Sequence, residues 1–147
     1  VLLLLSLLSS PAQAAHRVAL LLDPAQLSAP RAELTADLRV ADRTSVAGVL
    51  GVDLSSPLGA HHYGAQLRQG FTGSWERGAW LAAEVVTGSA GFMHRDDRGV
   101  SFGGLVGGRY VFSPPLTLDA GIGGHLQLIG GKLYPGATVN IGLGWTF

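Results

Sequence analysis

From position 31 to the last residue, bulky apolar side chains recur at every second position in one segment after another. A period of two belongs to strands with two chemically different faces, not to amphipathic helices. In 31–42, Ala32, Leu34, Ala36, Leu38 and Val40 alternate with Glu33, Thr35, Asp37 and Arg39, charges that a helix would spread around its circumference. The same parity runs through Val46, Leu50, Val52 and Leu54, then through Tyr63, Ala65, Leu67 and Phe71 with Gln69 interrupting it, then through Ala79, Leu81, Ala83 and Val85. It returns in Phe102, Val106, Tyr110 and Phe112, in Leu116, Leu118, Ile122, Leu126 and Leu128, and in Val139, Ile141, Leu143, Trp145 and Phe147. These segments make seven strands. An eighth is expected within 16–27, where Asp23-Pro24 interrupts it, because a proline cannot donate to a ladder and belongs at a strand end or bulge.

Alternation alone does not say which face points outward, since a soluble lipocalin-like barrel alternates too. The polar parity is mostly Gly, Ser, Thr and Ala with sparse charge, and charged residues are only 14 % of the chain, too few for a typical surface in water. The aromatics Tyr63, Phe71, Phe102, Tyr110, Phe112, Trp145 and Phe147 lie towards segment ends, where a bilayer interface selects them. Connections alternate in length: 41–43, 73–77 and 113–115 read as tight, 55–60, 89–99 and 129–136 as longer, the rhythm of short periplasmic turns and long outer loops. Ten residues at ~3.3 Å, tilted by ~45°, rise about 23 Å, close to the ~25 Å apolar band of membrane barrels. Open sheet edges are too costly in hydrocarbon, so the expected fold is all-β, an eight-stranded antiparallel up-and-down transmembrane β-barrel.

Ahead of the barrel, the apolar run of 1–8 leads to Ala12-Gln13-Ala14, a small-x-small triplet that predicts export and cleavage after Ala14. The basic region usual before such a run is missing, so the leader, 1–14, reads as clipped at its start, and 15–147 as the barrel. The alternative is a buried N-terminal helix.

In this pattern the chain resembles the small eight-stranded outer-membrane barrels of Gram-negative bacteria, the OmpA-type transmembrane domain and OmpX-like proteins. Its most specific feature is the run 139–147, Val-Asn-Ile-Gly-Leu-Gly-Trp-Thr-Phe, which is similar to the terminal-aromatic signal of that class. The resemblance implies an outer-membrane location, contact with lipid and lipopolysaccharide, recognition by the barrel assembly machinery through the strand ending at Phe147, and a monomer. Neither a cofactor nor an enzymatic activity comes with it.

The polar parity gathers Glu33, Asp37, Asp53, Glu84 and Asp119 with Arg39, Arg68, Arg109 and His125, and with Gln66, Gln127 and Asn140 nearby. Eight strands enclose a lumen that side chains can fill, so these groups are expected to pair as a polar plug. A narrow ion path through them is the second reading. His61-His62 and the run His94-Arg95-Asp96-Asp97-Arg98 are expected to be solvated loop residues, the arginines being candidates for lipopolysaccharide phosphates. A metal site is not expected, since adjacent strand histidines point to opposite faces. A lipid-modifying enzyme is the third reading, but the chain has no G-x-S-x-G elbow. Zero net charge argues against nucleic acid, and the lack of cysteine excludes disulfides and thiolate chemistry. Glycine pairs such as Gly103-Gly104 and Gly123-Gly124 are expected to relieve crowding, for instance where Trp80 needs room inside.

Overall fold

A computed structural model describes residues 17–24, 31–54, 60–89, 98–112 and 115–147. Its strands are β1 (Val18–Leu22), β2 (Arg31–Arg39), β3 (Thr44–Asp53), β4 (His61–Gly70), β5 (Arg77–Ser89), β6 (Arg98–Val111), β7 (Leu116–Ile129) and β8 (Lys132–Thr146). Each pairs antiparallel with its chain neighbours, and β1 closes the barrel by pairing with β8 as well as β2. Leu20 is the hinge of that closure, opposite Ala36 on one side and Trp145 on the other.

Register preserves parity all the way round. Partners run from Asp37 to Ala47, Gln66, Glu84, Gly103, His125 and Gly136, one inward-facing row that climbs across seven strands from the turn end towards the loop end. A one-residue slip anywhere would turn a whole strand inside out. The result inverts a soluble protein: Leu50 and Ile122 are 55 % and 60 % exposed on the outer wall, whereas Asp37, Gln66 and Asp119 are 0 %, 2 % and 3 % exposed inside. Charged groups are rarely so buried, and apolar ones rarely so uncovered, in a domain whose outer surface meets water.

Arg17 and Phe147 lie at one end of the barrel, where the Arg17 amide donates to the Phe147 carbonyl at 2.6 Å. The β2–β3, β4–β5 and β6–β7 connections share this turn end with the termini; the opposite end carries the other four connections and is the loop end. There the expected long connection at 129–136 does not exist. Strands β7 and β8 run on, Ile129 opposite Lys132, to a hairpin turn of Gly130 and Gly131 alone. Both glycines have positive φ, 54° and 77°, as a type I′ hairpin turn requires. Pro135 lies within this stretch. Odd-numbered residues of β8 direct their N–H groups away from β7: the Ile141 amide donates to Asp23 Oδ2 and the Phe147 amide to the Val18 carbonyl. Pro135 shares that parity, so its missing donor leaves the ladder to β7 intact, and β8 accommodates it.

Strand β1 is short and ends before Asp23-Pro24 as expected; the remainder of the expected 16–27 span, apart from 17–24, lies outside the described residues, as do the leader 1–14 and His94 to Asp97. No helix among the described residues is long and apolar enough to cross a membrane.

Candidate functional site in the barrel interior

The polar parity builds two different layers. At the turn end, Arg68 on β4 and Arg109 on β6 meet Asp37 on β2 and Asp119 on β7. Arg68 Nη1 donates to Asp37 Oδ2 at 3.3 Å and to Asp119 Oδ2 at 3.2 Å. Arg109 Nε donates to Asp119 Oδ2 at 2.8 Å, and its Nη2 to Asp37 Oδ2 at 2.5 Å. Two guanidiniums thus face two carboxylates in a closed, charge-balanced tetrad, each cation bridging both anions.

The tetrad is clamped by indoles. Arg68 Cζ stands 4.6 Å from the Trp80 ring and Arg109 Cζ 4.7 Å from the Trp75 ring, within the range of cation–π attraction. Trp75 sits in the β4–β5 connection and turns back into the barrel, buried at its turn end. Trp80 projects from β5 over Gly107 and Gly121; a Cβ at Gly121 would lie 2.7 Å from Trp80 Cη2. The room for Trp80 is made by Gly107 and Gly121, not by the expected pairs Gly103-Gly104 and Gly123-Gly124, where an added Cβ would meet other groups. Thr117 and Thr146 hydrogen-bond to each other where β7 and β8 approach this end.

Towards the loop end the described residues leave the interior unfilled. A cavity of ≈ 250 Å³ is lined there by groups from β2 to β8, among them Glu33, His62, Glu84, His125, Gln127 and Asn140. Glu33 Oε2 and His62 Nε2 are 3.0 Å apart. Glu84 accepts from Gln66 Nε2 at 2.5 Å, and Gln66 Oε1 accepts from Arg68 Nε at 2.8 Å, so Gln66 joins the cavity floor to the tetrad. His125 and Gln127 are in contact at 3.1 Å, and Thr138 donates to Asn140 at 3.1 Å. The two imidazoles are seated on glycines: a Cβ at Gly51 would collide with the His62 ring and one at Gly136 with the His125 ring. Among the described residues, no group of three or more His, Asp or Glu side chains is placed to hold a metal ion.

The nine charged or titratable residues expected inside therefore separate. Asp37, Arg68, Arg109 and Asp119 form the tetrad, and Glu33, Asp53, Glu84 and His125 line the cavity. Arg39 belongs to neither. At the turn end of β2, its guanidinium bonds to the Ala41 carbonyl and to Asp42, a fully exposed partner, because there the barrel mouth offers water and a turn acceptor. His62 corrects the reading of His61-His62 as loop residues. Both lie in β4, and His62 shares the inward parity of Gln66 and Arg68, a signal the sequence did contain. Trp75 had no such signal, since a turn has no period. The expected aromatics Phe71, Tyr110, Phe112, Trp145 and Phe147 are exposed outward at the turn end, and Tyr63 and Phe102 on the outer wall of the loop-end half; Tyr134, not anticipated, is exposed near the β7–β8 turn.

Fold and interior together define a class: a closed eight-stranded up-and-down barrel, apolar outside, with a charge-balanced plug across one half and a polar cavity in the other. No protein family, curated protein or solved structure matches the chain at a significant level.

Proposed function

We propose that the chain is an integral outer-membrane β-barrel of a Gram-negative envelope, non-enzymatic, which contributes to envelope structure and presents its loop end to the surroundings. The observation that carries this reading is the continuous apolar outer wall, with Leu20, Leu50, Leu67, Leu81, Ile122, Val139 and Leu143 all exposed while Asp37, Arg68, Arg109 and Asp119 are buried. In water such a surface far exceeds the few hundred Å² of apolar patch that a soluble monomer tolerates; against lipid it is the ordinary solution, because every strand is paired around the closure. Exposed aromatics in both halves of the outer wall suit the two bilayer interfaces, and the terminal strand ending at Phe147 suits capture by the assembly machinery.

The tetrad favours a structural barrel over a conducting one. Its four side chains, wedged by Trp75 and Trp80, occupy the turn-end cross-section, and an ion would have to displace paired buried charges to pass.

The test is a heat-modifiability gel on outer-membrane fractions together with extraction. The unboiled protein is expected to migrate differently from the boiled chain and to need detergent for solubility. A chain that is soluble and folded in plain buffer would refute the proposal, and conductance steps from the purified barrel in a planar bilayer would replace it with the channel reading.

A further inference from the structure

We infer that the loop-end cavity is a binding site for a small organic cation, an amine or a guanidinium compound. The inference concerns the barrel interior and does not depend on what surrounds the outer wall.

The two interior layers differ in charge accounting. In the turn-end tetrad, two arginines neutralise two aspartates by direct contact. Among the described residues that line the cavity, three carboxylates, Glu33, Asp53 and Glu84, stand with one guanidinium, Arg31, which is the cross-strand partner of Asp53, and with the imidazoles of His62 and His125. Glu33 leans on the imidazole of His62, and Glu84 on the neutral amide of Gln66. Among the described residues, no lysine, arginine or histidine lies within ion-pair distance of Glu84. Arg68 is linked to Glu84 through Gln66 and not by an ion pair: its Nε donates to the Gln66 amide oxygen and its Nη1 to Asp37 and Asp119. A carboxylate withdrawn from bulk water without a cationic partner is costly. A ligand that brings both positive charge and N–H donors removes that cost.

The remaining lining selects the kind of cation. Gln127, Asn140 and Thr138 offer acceptor oxygens in the same lining, and Val49 and Val86 offer apolar surface for a methylene stem. A divalent metal would need several oxygen ligands converging on one point, and no such group exists among the described residues. An organic cation spreads its donors over a longer reach and fits the scattered acceptors better. At ≈ 250 Å³ the space lies just below the ~300–1,000 Å³ of typical small-molecule pockets, which limits the ligand to about five carbons and four nitrogens. The His62 and His125 rings, packed against Gly51 and Gly136, are part of a wall shaped at close contact rather than a loose gap.

The test is isothermal titration of the full chain, folded in nonionic micelles, with agmatine as probe and 1,4-butanediol as its uncharged counterpart. Saturable one-to-one binding of agmatine without binding of the diol is expected. Glu84→Gln should weaken it by about tenfold or more, as loss of a desolvated charge partner does, and Glu33→Gln should weaken it less. Folding of each variant is checked by its unboiled gel mobility; if Glu84→Gln does not fold, Glu33→Gln decides alone. A folded wild-type barrel that takes up no agmatine, or that binds the diol equally, overturns the inference, as does undiminished affinity in the folded variants. None of these results bears on the membrane proposal. If the chain proves soluble in buffer, that proposal fails and the titration is run there instead.

Discussion

Arg109 on β6 and Asp37 on β2 are separated by 72 positions in the chain, yet Nη2 of the one donates to Oδ2 of the other at 2.5 Å across the barrel interior. The contact crosses the lumen instead of following the wall, so it ties together strands that no ladder joins. Arg68 on β4 repeats the crossing, to Asp37 on β2 and to Asp119 on β7, and the circuit is closed along the wall by Arg109 and Asp119, directly opposed on the paired strands β6 and β7.

Removing one cation from this circuit leaves two buried carboxylates sharing the other. Arg109→Ala is therefore expected to destabilise the folded barrel by about 3–5 kcal/mol, the usual cost of orphaning a buried charge. Arg68→Ala should act in the same direction. The measurement is the urea midpoint of unfolding in micelles, followed by gel mobility; an unchanged midpoint for both variants would show that the tetrad does not hold the barrel.

Two inward and outward glycines should respond oppositely to the same methyl group. A Cβ at Gly121 meets Trp80 at 2.7 Å, whereas one at Gly48 meets nothing within 4 Å. Gly121→Ala is expected to cost roughly 1–3 kcal/mol through overpacking, and Gly48→Ala to be neutral or stabilising by under about 1 kcal/mol. Thermal melts of the two variants side by side check this. Equal melting temperatures would mean that Trp80 is not seated as described.

The outer wall gives a third prediction. Ile122, mid-strand on β7 and 60 % exposed, should face the middle of the bilayer if the proposed location is right. Ile122→Arg should then reduce folding stability in lipid vesicles by about 2–4 kcal/mol, the penalty for a cation at that depth. In a water-exposed wall the same change would be harmless or would improve solubility.

The β7–β8 turn supplies the last. Gly131 has φ of 77°, where a β-branched residue is a steric outlier. Gly131→Val should destabilise the hairpin by roughly 1–2 kcal/mol, while Gly131→Asn, tolerant of that region, should cost less. Hydrogen exchange of the β7 and β8 amides near the turn reads the difference; identical exchange in both variants would count against a type I′ turn.

The pattern of alternate residues was sufficient for the strand count and for which residues share a face, because side-chain direction in a strand is a local property of the pleat; which face points inward was legible from the sparse charge of the polar parity and the end-placed aromatics. Asp37, Arg68, Arg109 and Asp119 could be placed inside from parity alone, and so could His62, had it been read as strand. Which of them touch was decided by closure. The stagger between strands as the sheet meets itself sets the level at which each side chain enters the lumen, and no run of neighbours in the sequence encodes that level. Closure brought the two arginines and two aspartates to one height, left Arg39 at the mouth with Asp42, and left Glu33 and Glu84 beside a cavity instead of a plug. The short hairpin at Gly130-Gly131 was hidden for a related reason: whether Pro135 breaks a ladder depends on which neighbour its nitrogen faces, and that is known only once β8 has a partner on one side.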